Sequence, residues 1–368
     1  MSEWFAVENA GEVPSPALLL YPQRIRENIR RMIRMAGGGQ RLRPHVKTHK
    51  LAEVVRMQLE EGLIKFKCAT IAEAEMTAGA GAKDVLLAYP IVGPNVGRLL
   101  ELVRTFPATQ FSCVADAASA IQQLAKTFSD AGREVEVLLD VDCGQHRTGV
   151  APDADALRLY RLIANSPALR PGGLHVYDGH IHQSALAERE TDCAADFAPV
   201  LEFHRALLAA GLPVPRVVAG GTPTFPIHAR NPAFECSPGT CVLWDFDYAE
   251  LFAELDFLMA AVMLTRVVSK PGPNRLCLDL GHKAIASEKP PPRVKFLNLP
   301  DATAISHNEE HLVVESAGAS RLAVGDCLYG VPRHICPTVA LYSEATVIRQ
   351  GRASERWRIT ARERRLTI

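Results

Sequence analysis

No run of apolar residues in the chain reaches the ~18 needed to cross a bilayer, and the longer candidates, such as FLMAAVML (257–264), fall well short. Net charge is missing too: 41 Lys plus Arg offset 41 Asp plus Glu, so there is no basic excess of the kind a dedicated nucleic-acid binder carries. The opening MSEWFAVENAGEVPSP holds acidic residues and no apolar core, and it reads as neither a signal nor a transit peptide. A cytoplasmic protein without membrane or nucleic-acid partners is therefore expected. No CxxC pair occurs, which excludes the common zinc ribbons. The 9 cysteines are odd in number and irregularly spaced, so a disulfide framework is excluded and most read as small buried hydrophobes. No period of 20–50 residues and no low-complexity tract is present. What remains is 368 residues, 48 % apolar and 22 % charged, enough for a large core in one or two domains of about 150 residues each.

From residue 40 to about 245, short β-branched runs alternate with longer amphipathic ones. The strand-like runs are 41–47, 65–70, 85–89, 110–114, 134–142, 172–179, 216–221 and 234–240. Between them lie segments of helical spacing, such as LAEVVRMQLEEG and the stretch around Leu157, Leu159, Leu162 and Ile163. Eight such units in about 200 residues fit a (β/α)8 TIM-like barrel better than an open sheet. Ahead of it, residues 16–39 read as a strand and a helix with Ile25, Ile29, Met32 and Ile33 on one face. Beyond about residue 255 the runs become strand-like and are separated by Gly, Pro and Asn turns, so a mostly β C-terminal domain is expected. The boundaries read as 1–21 joining the β domain, 22–255 for the barrel and 256–368 for the β domain.

RPHVKTHK (43–50) places Lys47 at the end of the first barrel strand, where active-site residues of such barrels lie. Arg43, His45, His49 and Lys50 bracket it, and desolvation with neighbouring cations lowers a lysine pKa. A neutral amine can attack an aldehyde; the plainer alternative is a basic, solvated loop. AGGTPTF (219–225) follows the seventh strand and offers Gly220, Gly221 and Thr222 as backbone and hydroxyl donors, often at a helix N-terminus. That is where barrels commonly hold phosphate, though an ordinary glycine-rich turn reads the same way. A lysine after strand one and a phosphate cradle after strand seven are what pyridoxal 5'-phosphate needs. VYDGHIHQ (176–183) brings Tyr177, His180 and His182 to the same barrel mouth. In the β domain, RHICPT (333–338) reads as an extended segment that sets His334 and Cys336 two residues apart, on one face. Imidazole with thiolate suits zinc and tolerates manganese, and two protein ligands leave positions open, as in catalytic sites.

Taken together, PSPALLLY, RPHVKTHK, DVDCGQHRTG, AGGTPT, ECSPGT, GHKAIASE, SHNEEH, VGDCLYGVP and HICPTVALY resemble the metal-activated fold type III pyridoxal-phosphate enzymes over essentially the whole chain. That group includes D-threonine aldolase, D-serine dehydratase and D-3-hydroxyaspartate dehydratase. The resemblance implies an alanine-racemase-like barrel that carries the cofactor and a β domain that carries a divalent metal, zinc or manganese. It implies that Lys47 holds the cofactor covalently and that Gly220, Gly221 and Thr222 bind its phosphate. Tyr177 would face the pyridine nitrogen, with Arg147 and His45 on the cofactor side. His334 and Cys336 would bind the metal, and His180, with His182 as runner-up, would be the base near the substrate hydroxyl. A homodimer acting on a small D-amino acid is implied as well. The best-known D-threonine aldolases carry His-Cys-Asp where this chain has His-Ile-Cys, the form of the dehydratases. The flanking text lies closer to bacterial proteins grouped with the aldolases. The sequence thus predicts a lyase that cleaves D-threonine-type β-hydroxy amino acids to glycine and an aldehyde. The alternative is a dehydratase giving a 2-oxoacid and ammonia. A non-catalytic cofactor carrier would lack the β domain, and a plain racemase would lack the metal.

Overall fold

The computed structural model describes residues 3–368, which form two compact units. One comprises residues 30–47, 52–239 and 363–368; the other comprises the chain up to Ile29 with 48–51 and 240–362. Residues 22–29 and 240–255 thus count with the second unit.

β1 (Ala17–Leu20) belongs to the second unit. The first is built on β2 (Lys65–Cys68), β3 (Asp84–Leu87), β4 (Gln110–Ala115), β5 (Val135–Val141), β6 (Leu169–Val176), β7 (Val217–Ala219) and β8 (Phe234–Cys236). These strands lie parallel and in chain order, with helices in the connections. β5, VEVLLDV, is buried along its whole length, as expected of a parallel strand covered on both faces. Leu86, Val114, Leu138 and Val218, from four different strands, pack into one cluster. Thr70 and Asp153 cap the helices that follow β2 and β5 by accepting first-turn backbone N–H groups.

The eighth stave is the extended segment 42–45. Leu42 bridges Cys236 on one side and His45 bridges Lys67 on the other, both parallel, so the barrel closes as expected. Arg43 locks this closure. Its fully buried guanidinium donates to both Asp84 oxygens at 2.6 and 2.9 Å and to Glu235 at 2.8 Å. A buried arginine is tolerated here because both partners are carboxylates in forked geometry. The strand expected over 41–47 therefore ends early: Lys47 lies in a short 3-10 turn, Val46–Thr48, just past the stave.

The second unit holds β9 (Ala261–Gly272), β10 (Arg275–Leu278), β11 (Val294–Phe296), β12 (Thr303–His307), β13 (Leu312–Glu315), β14 (Cys327–Pro332), β15 (Glu344–Arg349) and β16 (Arg352–Arg358). Their order is β12-β13-β10-β9-β1-β15-β16, with β14 on β9 and β11 on β14. β1 runs antiparallel to β9 and parallel to β15. Phe5, Val7, Leu19, Tyr21, Val262, Leu264 and Tyr329 belong to its core. Among the described residues no helix is long and apolar enough to cross a membrane.

Candidate active site

Lys47 follows the closing stave, and its Nζ lies 5.9 Å from the Tyr177 ring centroid. Tyr177 leaves β6 directly. Arg147 stands over the same ring at 4.9 Å, and so does a second lysine, Lys67 of β2, at 5.6 Å. Among the described residues no hydrogen bond or ion pair engages either lysine Nζ. His45 is buried, and its Nδ1 accepts the Lys47 backbone N–H at 3.3 Å.

The cationic bracket expected around Lys47 needs correction. Arg43 is committed to Asp84 and Glu235 across β3 and β8. His49 is completely buried and uncharged: burial first, then the Lys50 charge, pushes its pKa down to about 3. An unfolded chain protonates His49 near pH 6.5 whereas the native state does so only near 3, so stability is lost as pH falls through that window. We expect wild type to lose up to about 1.4 kcal/mol per pH unit there from this group. His49→Leu should show a correspondingly flatter loss in urea unfolding at pH 7, 6 and 5.

One cation that shares the Tyr177 ring with Lys47 is Lys67, which is 2 % exposed. Burial, and then the Lys47 charge, lowers the Lys67 pKa to about 7 against the pull of Asp178 and Asp140. Sequence inspection missed this residue. KFKC reads as an alternating strand with solvated lysines, and only barrel closure turns the Lys67 face inward.

The glycine turn is built on a buried support. Gly220 has φ +68°, and a Cβ there would fall 2.5 Å from His228 Cδ2 and 2.7 Å from Thr224 Oγ1. Asp178 accepts from Thr224 at 2.9 Å and from His228 Nε2 at 2.6 Å. Cys193 lies within metal-binding range of Asp178 and His228. Burial and then Asp178 push its thiol up to about 12, and all three side chains are buried under the turn. The helix expected to begin at this turn is only Phe225–His228, so backbone and hydroxyl groups must form the cradle. Thr222 Oγ1 accepts the Gly239 N–H at 3.1 Å, which joins the turns after β7 and β8. A Cβ on Gly179 would fall 2.5 Å from the Tyr177 hydroxyl, and one on Gly221 would fall 3.1 Å from Tyr177 Cε2. Two amines without partners, an aromatic face and a bare glycine turn fit pyridoxal phosphate.

The structure separates the two histidines of VYDGHIHQ. His180 Nε2 bonds Asp196 Oδ2 at 2.7 Å, and its Nδ1 is buried without a partner. A carboxylate can only accept, so Nε2 carries a proton, and in the neutral imidazole Nδ1 then holds the lone pair that a base requires. His182 is exposed, and its Nδ1 is engaged by the His180 carbonyl at 2.6 Å.

In the second unit, the extended conformation expected for RHICPT is not found. Ile335–Ala340 is a short helix with His334 as its N-cap residue. Buried Asp245 accepts the Ile335 N–H at 3.1 Å and so starts the helix, and Arg333 is held on Asp247 at 2.9 Å. His334 and Cys336 nevertheless converge, with the imidazole in hydrogen-bond range of the thiol. Glu288 holds His334 Nδ1 at 2.5 Å, and Thr48 Oγ1 lies 3.2 Å from Cys336 Sγ. Burial alone would lower the His334 pKa, but Cys336 and Glu288 outweigh it and raise it to about 9. A place that stabilises an imidazolium also suits a metal cation, and a carboxylate on the far ring nitrogen orients a ligand histidine. The donor set fits zinc or a similar ion.

Comparison with known proteins agrees with these features. Residues 21–244 match the family model "Alanine racemase, N-terminal domain", and residues 260–348 match "Putative serine dehydratase domain". The chain is 31 % identical to a D-threonine aldolase from Arthrobacter sp over 95 % of its own length and 93 % of that protein's. It is 30 % identical to a 3-hydroxy-D-aspartate aldolase from Paracoccus denitrificans, over 95 % and 92 %. Its fold superposes on the crystal structure of D-threonine aldolase from Filomicrobium marinum with a TM-score of 0.88 at 26 % identity, covering 96 % of each chain. The chain belongs to the alanine racemase N-terminal domain family, within its D-threonine aldolase and D-serine dehydratase group of pyridoxal-phosphate- and metal-dependent lyases.

Proposed function

We propose that this enzyme cleaves D-β-hydroxy-α-amino acids of the D-threonine type to glycine and an aldehyde. The observation that carries the reading is the coexistence of the Lys47–Tyr177–glycine-turn set with the His334–Cys336 pair, beside two aldolases among the similar proteins. When bound, pyridoxal phosphate supplies an aldehyde and a ring that accepts the electron pair released at Cα, and a divalent ion supplies charge that acidifies a hydroxyl.

In this reading Lys47 holds the cofactor through its amine. Gly220, Gly221 and Thr222 bind the phosphate, and Tyr177, Arg147 and His45 line the ring. His334 and Cys336 hold zinc or manganese. His180 takes the β-hydroxyl proton on Nδ1, Asp196 fixes its tautomer, and His182 remains the runner-up. The dehydratase alternative is favoured by two features, the cysteine at 336 and the match of residues 260–348 to the serine dehydratase model. There Lys47 would instead remove the α-proton. Family likeness supports a cytoplasmic homodimer, and size-exclusion chromatography tests the dimer.

Chelation separates both readings from a racemase or a carrier: turnover of D-threonine should vanish in chelator and return with manganese or zinc. Turnover unaffected by chelator would sink the metal-dependent account. The phosphate assignment is tested by Gly221→Val, whose side chain would press on Tyr177. We expect a cofactor Kd at least about tenfold weaker, the equivalent of one charge-assisted hydrogen bond, with little change in thermal unfolding. An unchanged Kd in a fluorescence titration would move the phosphate elsewhere.

A further inference from the structure

GHKAIASE and SHNEEH have no part in the scheme above, yet each sends a histidine to the same arginine. Arg293 Nη1 lies 3.3 Å from His282 Nε2 and 3.1 Å from His307 Nδ1, and the two rings stand edge to face with centroids 4.5 Å apart. A guanidinium can only donate, so both imidazoles accept and both are neutral in this arrangement. His307 donates its Nε2 proton to the Leu280 carbonyl at 3.0 Å, which fixes its tautomer. The backbone N–H of His282 donates to the Asn308 carbonyl at 2.8 Å, so the two motifs are tied together as well.

Arg293 ends the loop SEKPPPR (287–293). Pro290, Pro291 and Pro292 have no N–H to give, so guanidinium groups do the holding. Arg293 Nε donates to the Lys289 carbonyl at 3.0 Å and Arg333 Nη1 to the Pro290 carbonyl at 2.9 Å, while Lys289 Nζ reaches Asp247 at 3.3 Å. The exposed Glu288 of this loop is the carboxylate on His334 Nδ1. All of these residues belong to the second unit.

We propose that Arg293, clamped by His282 and His307, is a positioning residue for the metal pair: it sets the loop that holds Glu288 against His334. The proposal rests on the reading that His334 and Cys336 bind a divalent ion. With Glu288 on Nδ1, Nε2 of His334 is the atom left for the ion, and the carboxylate fixes that tautomer and the direction of the ring. An exposed glutamate held only by its own ion pair does this weakly, because ordering the side chain costs nearly what the pair contributes. A backbone already fixed by Arg293 removes part of that cost.

The test is calorimetric titration of manganese or zinc chloride into chelator-stripped, full-length wild type, Glu288→Ala, Arg293→Met and the double variant. Glu288→Ala should weaken the metal Kd about tenfold or more. Arg293→Met should weaken it about threefold or more in the wild-type background and hardly at all in the Glu288→Ala background, since both changes remove the same contact. His307→Leu, which withdraws one acceptor and leaves the loop intact, should act like Arg293→Met and carries the test if that variant does not fold. Equal losses from Arg293→Met in both backgrounds, or no loss at all, would overturn the proposal and leave the metal reading standing. Metal binding that is absent from wild type, or unchanged by Cys336→Ala, would overturn that reading and the proposal with it.

Discussion

Lys47→Ala should bind pyridoxal phosphate without any borohydride-reducible link, and its turnover should fall on the order of a thousandfold or more. Lys47 is half-buried, and no hydrogen bond among the described residues engages its Nζ, so the variant should fold as wild type does. The glycine turn on its Asp178–Thr224–His228 support is untouched, so some non-covalent affinity for the cofactor should remain. Absorbance before and after reduction, with peptide mapping, checks this. A reducible adduct that persists, above all one mapping to Lys67, would contradict the assignment.

The second large effect lies in the other unit. Cys336→Ala removes one of two protein donors, and the remaining imidazole is a single anchor. Metal affinity should fall at least about a hundredfold. The Lys47 set is unchanged, so the protein should still turn yellow with the cofactor while it loses turnover. Cys336→Asp should regain part of the activity with manganese, because a carboxylate suits that harder ion. It also recreates a histidine-x-aspartate spacing, which should raise cleavage relative to dehydration. Metal titration by calorimetry alongside turnover measures both effects. Full activity of Cys336→Ala in chelator would show the pair to be structural.

How much of this was legible in the sequence depends on whether the deciding contacts are local. β5 announces itself as an unbroken VEVLLDV run, and parallel burial on both faces is what that run means. The barrel and its β companion follow from such runs and their spacing. RHICPT reads as extended in the sequence because its helix is started by Asp245, ninety residues away, with Pro337 in its first turn. In the first turn of a helix, a proline lacks only an N–H that would have no partner there. Lys67 was invisible for a related reason: its environment is assembled by Lys47, Asp140, Tyr177 and Asp178 from three other parts of the chain. His180 and His182 look alike in VYDGHIHQ, and only Asp196, on a helix sixteen residues on, distinguishes them.

The central claim is which bond breaks, and product analysis tests it most directly. Purified enzyme loaded with pyridoxal phosphate and manganese or zinc should convert D-threonine to glycine and acetaldehyde in equal amounts, quantified by chromatography and an aldehyde-coupled assay. Formation of 2-oxobutyrate and ammonia from D-threonine, without glycine, would contradict the aldolase reading and establish the dehydratase in its place.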